Sequence, residues 1–206
     1  NGFQLNGKSM KLKGGCIHHD NGLLGAKAFD RAEERKIELL KAAGFNALRL
    51  SHNPPSTALL NACDRLGMLV IDEAFDMWRY GHYQYDYAQY FDKLWKEDLH
   101  SMVARDRNHP SVIMWSIGNE VDYPNDPYSH PILDGSTINQ PMFGGYKPDA
   151  PDAMRIGKIA KRLAACVRAV DTSRPVTGAL AGVVMSNQTE YPEAIDVVGY
   201  NYTENR

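Results

Sequence analysis

The chain has 206 residues, 43% hydrophobic and 23% charged, with a formal net charge of -2. That length fits one large domain or two small ones, with apolar residues enough for a sizeable core. The near-neutral balance, with Lys and Arg spread along the chain, gives no footprint for nucleic acid or a membrane surface, and no run of about 18 apolar residues announces a transmembrane helix.

The opening stretch, NGFQLNGKSMKLKGG, lacks an apolar h-region and does not read as a signal peptide. The compartment therefore stays undecided between cytoplasmic and periplasmic or secreted. Lys11 to Ile17 reads as the first strand. Asp30 suits an N-cap, and Ala32 to Ala43 carries Ile37, Leu39 and Leu40 at helical spacing before Gly44. Asn46 to Leu50 is a second strand. Ser56 caps a helix reaching Leu66, closed by Gly67, and Met68 to Ile71 is a third strand. A long helix covers Tyr87 to Arg105, and the fourth strand is Val112 to Ile117. Ala153 to Val170 is a strongly periodic helix. Pro175 to Ala179 and Ile195 to Gly199 are the fifth and sixth strands. Cys16, Cys63 and Cys166 each lie in an apolar segment without metal-type spacing, and are expected as buried free thiols. No CxxC, phosphate-binding Gly-rich loop, HExxH or GxSxG occurs.

Alternating β and α elements argue for a parallel sheet with outer helices. Six units fit either an open doubly wound sheet or most of an eight-unit (β/α)8 TIM barrel. Strand ends separate the two. Polar and titratable residues follow five different strands: His18, His19 and Asp20; Arg49, Ser51 and His52; Asp72 and Glu73; Asn119 and Glu120; Tyr200, Asn201 and Tyr202. Only a closed sheet brings so many ends to one point, whereas a doubly wound sheet concentrates them at one switch point. The expectation is an incomplete barrel, about six of eight units, across residues 1–206. The stretch DRNHPSVIMWSIGNE, Asp106 to Glu120, is the most informative. Its strand is apolar without alternation, as in a sheet buried on both faces, and Glu120 follows at the C-terminal end where barrel chemistry takes place. The alternative is a Glu that caps the next segment. The long polar loop from Asp122 to Pro151 then forms a wall of the site. Of the aromatic residues between Trp78 and Tyr90, most are expected to pack, and Trp78 is the one picked to face a ligand.

DRNHPSVIMWSIGNE resembles the acid/base signature of glycoside hydrolase family 2, whose members include β-galactosidases, β-glucuronidases and β-mannosidases. NALRLSHNPPS, LKGGCIHHDNG, DRLGMLVIDEAFDMW and DVVGYNY resemble further motifs of that family in order and spacing, over nearly the whole chain. The resemblance implies the central catalytic barrel of a retaining exo-glycosidase, most readily a β-galactosidase. It makes Glu120 the general acid/base and Asn119 the residue that bonds the sugar 2-hydroxyl. Arg49 becomes the buried arginine beside the nucleophile, His18 and His52 histidines lining the sugar pocket, and Tyr202 a tyrosine touching the nucleophile. For Arg49 a structural ion pair with Asp72 or Glu73 competes with that role. For His18 and His52 the competing reading is satisfied core imidazoles.

Retaining chemistry needs two carboxyl groups about 5–5.5 Å apart. In the family the nucleophile is a Glu ending the seventh strand, and Glu190, Glu193 and Glu204 are unsuitably placed for it. The chain is therefore expected to be a fragment that lacks the nucleophile. Further expectations are a gap between the first and sixth strands, edges prone to association or homo-oligomer formation, and no turnover alone. No cofactor is implied. Some relatives bind Mg²⁺ with a Glu and a His after the third strand, where this chain reads Asp76-Met77-Trp78, so no metal site is expected. The implied partners are a carbohydrate substrate and flanking domains of a parent chain, not nucleic acid or a membrane. β-Glucuronidase, β-mannosidase and a non-catalytic sugar-binding barrel are the alternatives. A nucleotide-dependent enzyme fails for want of a phosphate loop. His18, Arg49, His52, Asn119, Glu120 and Tyr202 are expected to line one cleft.

Overall fold

The computed structural model describes residues 2–122, 128–134 and 145–203. The chain divides into two compact units, residues 1–73 with 106–113, and residues 74–105 with 114–206. Parallel strands follow chain order, β3-β4-β5-β6-β7-β8. The reversal of order that defines a doubly wound sheet does not occur among them.

The first unit opens with a hairpin of β1 (Gln4–Leu5) and β2 (Lys8–Ser9). Asn6 and Gly7 between them have φ of 51° and 75°, the left-handed pair that a tight two-residue turn requires. Then come β3 (Gly14–His18), α1 (Asp30–Ala42), β4 (Ala47–Ser51), α2 (Thr57–Leu66) and β5 (Leu69–Glu73). β4 lies parallel between β3 and β5. Gly14 faces Ala47 so closely that a Cβ would stand 2.4 Å from the Ala47 carbonyl oxygen, so only glycine fits. β3 begins later than Lys11 because the Asn46 side chain already satisfies that backbone: it accepts from Lys13 N–H at 2.7 Å and donates to the Lys11 carbonyl at 3.0 Å.

Local signals set the helices. The Ser56 hydroxyl accepts from Leu59 N–H at 3.2 Å, and Gly67, at φ 71°, ends α2. α1 starts differently. Phe29 holds the cap position without a side-chain bond, and Asp30 falls inside the first turn, where a negative charge suits the helix dipole. Ile37, Leu48, Leu60, Cys63, Met68 and Val70 are buried in this unit. Asp64 on α2 accepts from Ser111 N–H at 2.9 Å and lies 2.6 Å from His109 Nδ1, tying the helix to the 106–113 turn.

α3 (Ala88–Asp106) and β6 (Val112–Asn119) run across the division between the units. The second unit continues with α4 (Met154–Val170), β7 (Val176–Leu180), the short α5 (Val183–Ser186) and α6 (Tyr191–Ala194), and β8 (Val197–Tyr200). β7 pairs in parallel with β6 and β8 and is buried at every residue, as expected of a strand covered on both faces. Beyond α4, Asp171 gathers the Trp115 indole N–H, Ser173 and Arg174 at 2.6–3.0 Å. Of the long 122–151 loop the description covers a bridge between Ser129 and Asp152 and a short turn at Pro131–Asp134. Residues 123–127 and 135–144, and Glu204, lie outside the described residues. The cysteine expectation needs correction: Cys63 is buried, but Cys16 is exposed on β3 and Cys166 half-exposed. Among the described residues no helix is long and apolar enough to cross a membrane.

Candidate active site

In the second unit the end of β6 is irregular. The β6–β7 register shifts between Ser116 and Asn119, so that Asn119 stands opposite Ala179. Such bulges re-aim side chains beside active sites. Gly118 sits in the shift because the Trp78 indole covers it: a Cβ there would lie 2.7 Å from Trp78 Nε1. That nitrogen donates to the Ile117 carbonyl at 2.8 Å, and the ring is 2% exposed beside Tyr191. This corrects the expectation for Trp78. The indole packs beneath the bulge, its N–H already engaged, and does not offer a face to a ligand.

The bulge delivers Glu120. Its N–H donates to the Ala179 carbonyl at 2.7 Å, and its φ is +46°, a left-handed conformation for a non-glycine residue. That geometry costs on the order of 1–3 kcal/mol and recurs at functional sites. The Glu120 carboxylate is half-buried and accepts from Asn201 Nδ2 at 2.6 Å. Asn119 is buried. Its Nδ2 donates to Asp76 Oδ1 at 2.9 Å, and its Oδ1 faces Asn201 Nδ2 at 3.4 Å. Asn201, just past β8, is itself fixed by a backbone bond to the Leu180 carbonyl at 2.8 Å. Tyr202 follows with φ +58° and is 71% exposed. Two residues after Glu120, buried Asp122 accepts from the N–H groups of Ala181 and Gly182 at 3.0 and 2.9 Å and from the Ser186 hydroxyl. Burial pushes its pKa above the ordinary carboxylate value against these bonds.

In the first unit the group around Glu73 is tighter. Glu73 ends β5 and is fully buried. Arg49 Nε and Nη2 donate to its Oε2 at 2.9 and 2.7 Å, and His52 Nδ1 lies 2.6 Å from its Oε1. The His18 ring meets His52 edge-on at 5.1 Å, and Arg49 Nη1 reaches Cys16 Sγ at 3.6 Å. Burial opposes the Arg49 charge, but attraction and hydrogen bonding from Glu73 prevail and raise its pKa. The ion-pair reading of Arg49 is thus realised, with Glu73 as partner. The Ser51–His52 peptide is cis. Asp20 accepts from Gly22 N–H at 2.6 Å in an exposed turn.

The structure thus gathers His18, Arg49 and His52 around Glu73 in one unit, and Asn119 and Glu120 around Asn201 in the other. Asp76 and Asn201 were not singled out as site residues from the sequence, although both follow strands. Their partners lie 43 residues away for Asp76 and 81–82 for Asn201. Among the described residues no group of three or more His, Cys, Asp or Glu is placed to hold a metal ion.

Comparison with known proteins places the chain in a family. The family model described as glycosyl hydrolases family 2, TIM barrel domain, matches residues 1–195. The chain belongs to that family, and its chain-ordered parallel strands and helices are those of an incomplete α/β barrel. It is 42% identical over 208 residues to the β-galactosidase BoGH2A of Bacteroides ovatus, covering 98% of this chain and 24% of that protein. It is 43% identical over 120 residues to a putative β-glucuronidase of Formosa agariphila, covering 58% of this chain and 12% of that one. A crystal structure of a glycosyl hydrolase family 2 member from Bacteroides cellulosilyticus superposes with a TM-score of 0.82 at 67% identity, over all of this chain and 23% of the other. The chain spans about a quarter of the length of the relatives that match it end to end.

Proposed function

We propose that this barrel serves a retaining exo-glycosidase that hydrolyses terminal β-linked sugars, β-galactosides foremost, with Glu120 as general acid/base. The observation that carries the reading is Glu120 itself: a half-buried carboxyl raised by a strand-end bulge, in a left-handed backbone, with a side-chain donor on one oxygen. Glu120 protonates the departing glycosidic oxygen while a second carboxylate attacks the anomeric carbon. It then takes a proton from the water that releases the sugar. Glu73 is unsuited to attack, because Arg49 and His52 engage both of its oxygens in a fully buried position. In this reading Asn119 bonds the sugar 2-hydroxyl, and Tyr202, exposed just past β8, touches the nucleophile.

The Bacteroides ovatus relative supports galactose as the sugar. The Formosa agariphila relative, a putative β-glucuronidase, supports a glucuronide as the second reading. The test is a panel of nitrophenyl glycosides given to the full-length protein, with NMR of the first anomer released. Fastest cleavage of the β-galactoside, with β-galactose formed first, is expected. Formation of the α-anomer would overturn the retaining mechanism, and preference for the glucuronide would transfer the substrate.

A further inference from the structure

Four side chains in the second unit form one hydrogen-bonded line: Asp76, Asn119, Asn201 and Glu120. Its polarity is set from the acidic end. Asp76 Oδ1 accepts at 2.9 Å, so the Asn119 group facing it is the NH₂, which turns Asn119 Oδ1 toward Asn201. Asn201 then faces two acceptors, Asn119 Oδ1 at 3.4 Å and Glu120 Oε1 at 2.6 Å. Its NH₂ has two hydrogens and serves both. The reverse orientation would set a carbonyl oxygen against two other oxygens. Neither amide can flip without breaking a bond to a carboxylate.

We infer that Asp76 and Asn201 are positioning residues that decide which oxygen of Glu120 carries the catalytic proton. The inference rests on the acid/base reading of Glu120. In a protonated carboxyl the carbonyl oxygen is the better acceptor. A donor held at Oε1 therefore keeps that oxygen bare and places the hydrogen on Oε2. Without the donor, the proton divides between two oxygens and the carboxyl loses its fixed rotamer. Transfer to a leaving group that needs protonation then slows, while binding is little changed.

The experiment compares Glu120→Gln, Asn201→Asp, Asn201→Ala and Asp76→Asn in the full-length protein, on alkyl and on activated dinitrophenyl glycosides. Asn201→Asp and Asp76→Asn are isosteric, and thermal melts check that all variants fold. Expected for the Asn201 variants is a fall in kcat of about tenfold to hundredfold on alkyl glycosides. Their KM values, and the first step on activated substrates, should change less than about threefold. Asp76→Asn should show the same pattern more weakly. In the Glu120→Gln background, Asn201→Ala should add no further selectivity between the two substrate types. If Glu120→Gln shows such selectivity but the Asn201 and Asp76 variants slow both substrates equally, the positioning role is overturned while the acid/base reading survives. If Glu120→Gln itself shows none, both fall.

Discussion

Glu73 and Glu120 both stand at the end of a parallel strand, and both are glutamates at positions where barrels place chemistry. Their surroundings differ. Glu73 is fully buried at the end of a regular strand, with an arginine and a histidine on its two oxygens. Glu120 is half-buried after a bulge, in a left-handed backbone, with one neutral amide donor on one oxygen. A carboxylate with both oxygens engaged in a fully buried position is held in place. One met by a neutral amide at one oxygen is steered at that oxygen. Position on the strand does not separate the two, whereas the donors do.

The sharpest break in this contrast is between activity and stability. Glu120→Gln should lower kcat on poor leaving groups by about 10²–10⁴-fold in the full-length protein and leave the urea midpoint nearly where it was. Glu73→Ala should do the reverse in kind. It removes the carboxylate that receives two hydrogen bonds from Arg49, whose side chain is only 16% exposed. The loss should be about 3 kcal/mol, toward the lower end for a broken buried pair because Arg49 keeps some access to water. Equilibrium urea unfolding of the two variants side by side checks both. Comparable destabilisation by both would dissolve the contrast.

Gly118→Ala tests what raises Glu120. The added methyl would lie 2.7 Å from Trp78 Nε1, and that indole is anchored by the Ile117 carbonyl and sealed from solvent. The ring has little room to retreat, so about 1–3 kcal/mol of stability should go. Activity should fall with it as the strand end shifts. Activity unchanged after a clear loss of stability would mean that the bulge does not aim Glu120.

Much of this architecture was legible because its causes are local. Ser56 and Gly67 bracket α2, and apolar runs mark β4, β6 and β7, so these elements fall within a few residues of expectation. The placement of Glu120 directly after a buried strand was legible for the same reason. What escaped depends on partners far along the chain. The bulge needs Trp78 against Gly118, the line to Glu120 needs Asp76 and Asn201, and burial of Trp78 needs Tyr191. Local signals also lost to tertiary ones. Asp30 looks like a cap, yet the chain enters α1 through Phe29, and Lys11 to Lys13 look like strand, yet Asn46 takes their backbone bonds. The Asn6-Gly7 hairpin is the exception, a strong local signal passed over because the segments around it are only two residues long.

A third carboxylate sharpens the comparison at its quiet end. Asp64 is held in the manner of Glu73, by His109 Nδ1 at 2.6 Å and Ser111 N–H at 2.9 Å, but it is more exposed. Burial alone would raise its pKa, and the bonds from Ser111 and His109 outweigh that and hold it below the ordinary aspartate value. In the unfolded chain Asp64 titrates near the usual value of about 4. Its folded value is lower, so its stabilisation is complete above the unfolded pKa and is lost as pH falls through the folded one. Asp64→Asn should therefore lower the urea midpoint modestly at neutral pH, with the difference from wild type shrinking steadily below about pH 4. A difference that is constant with pH would show that Asp64 acts through shape alone, and that donors around a carboxylate do not, by themselves, say whether its charge is used.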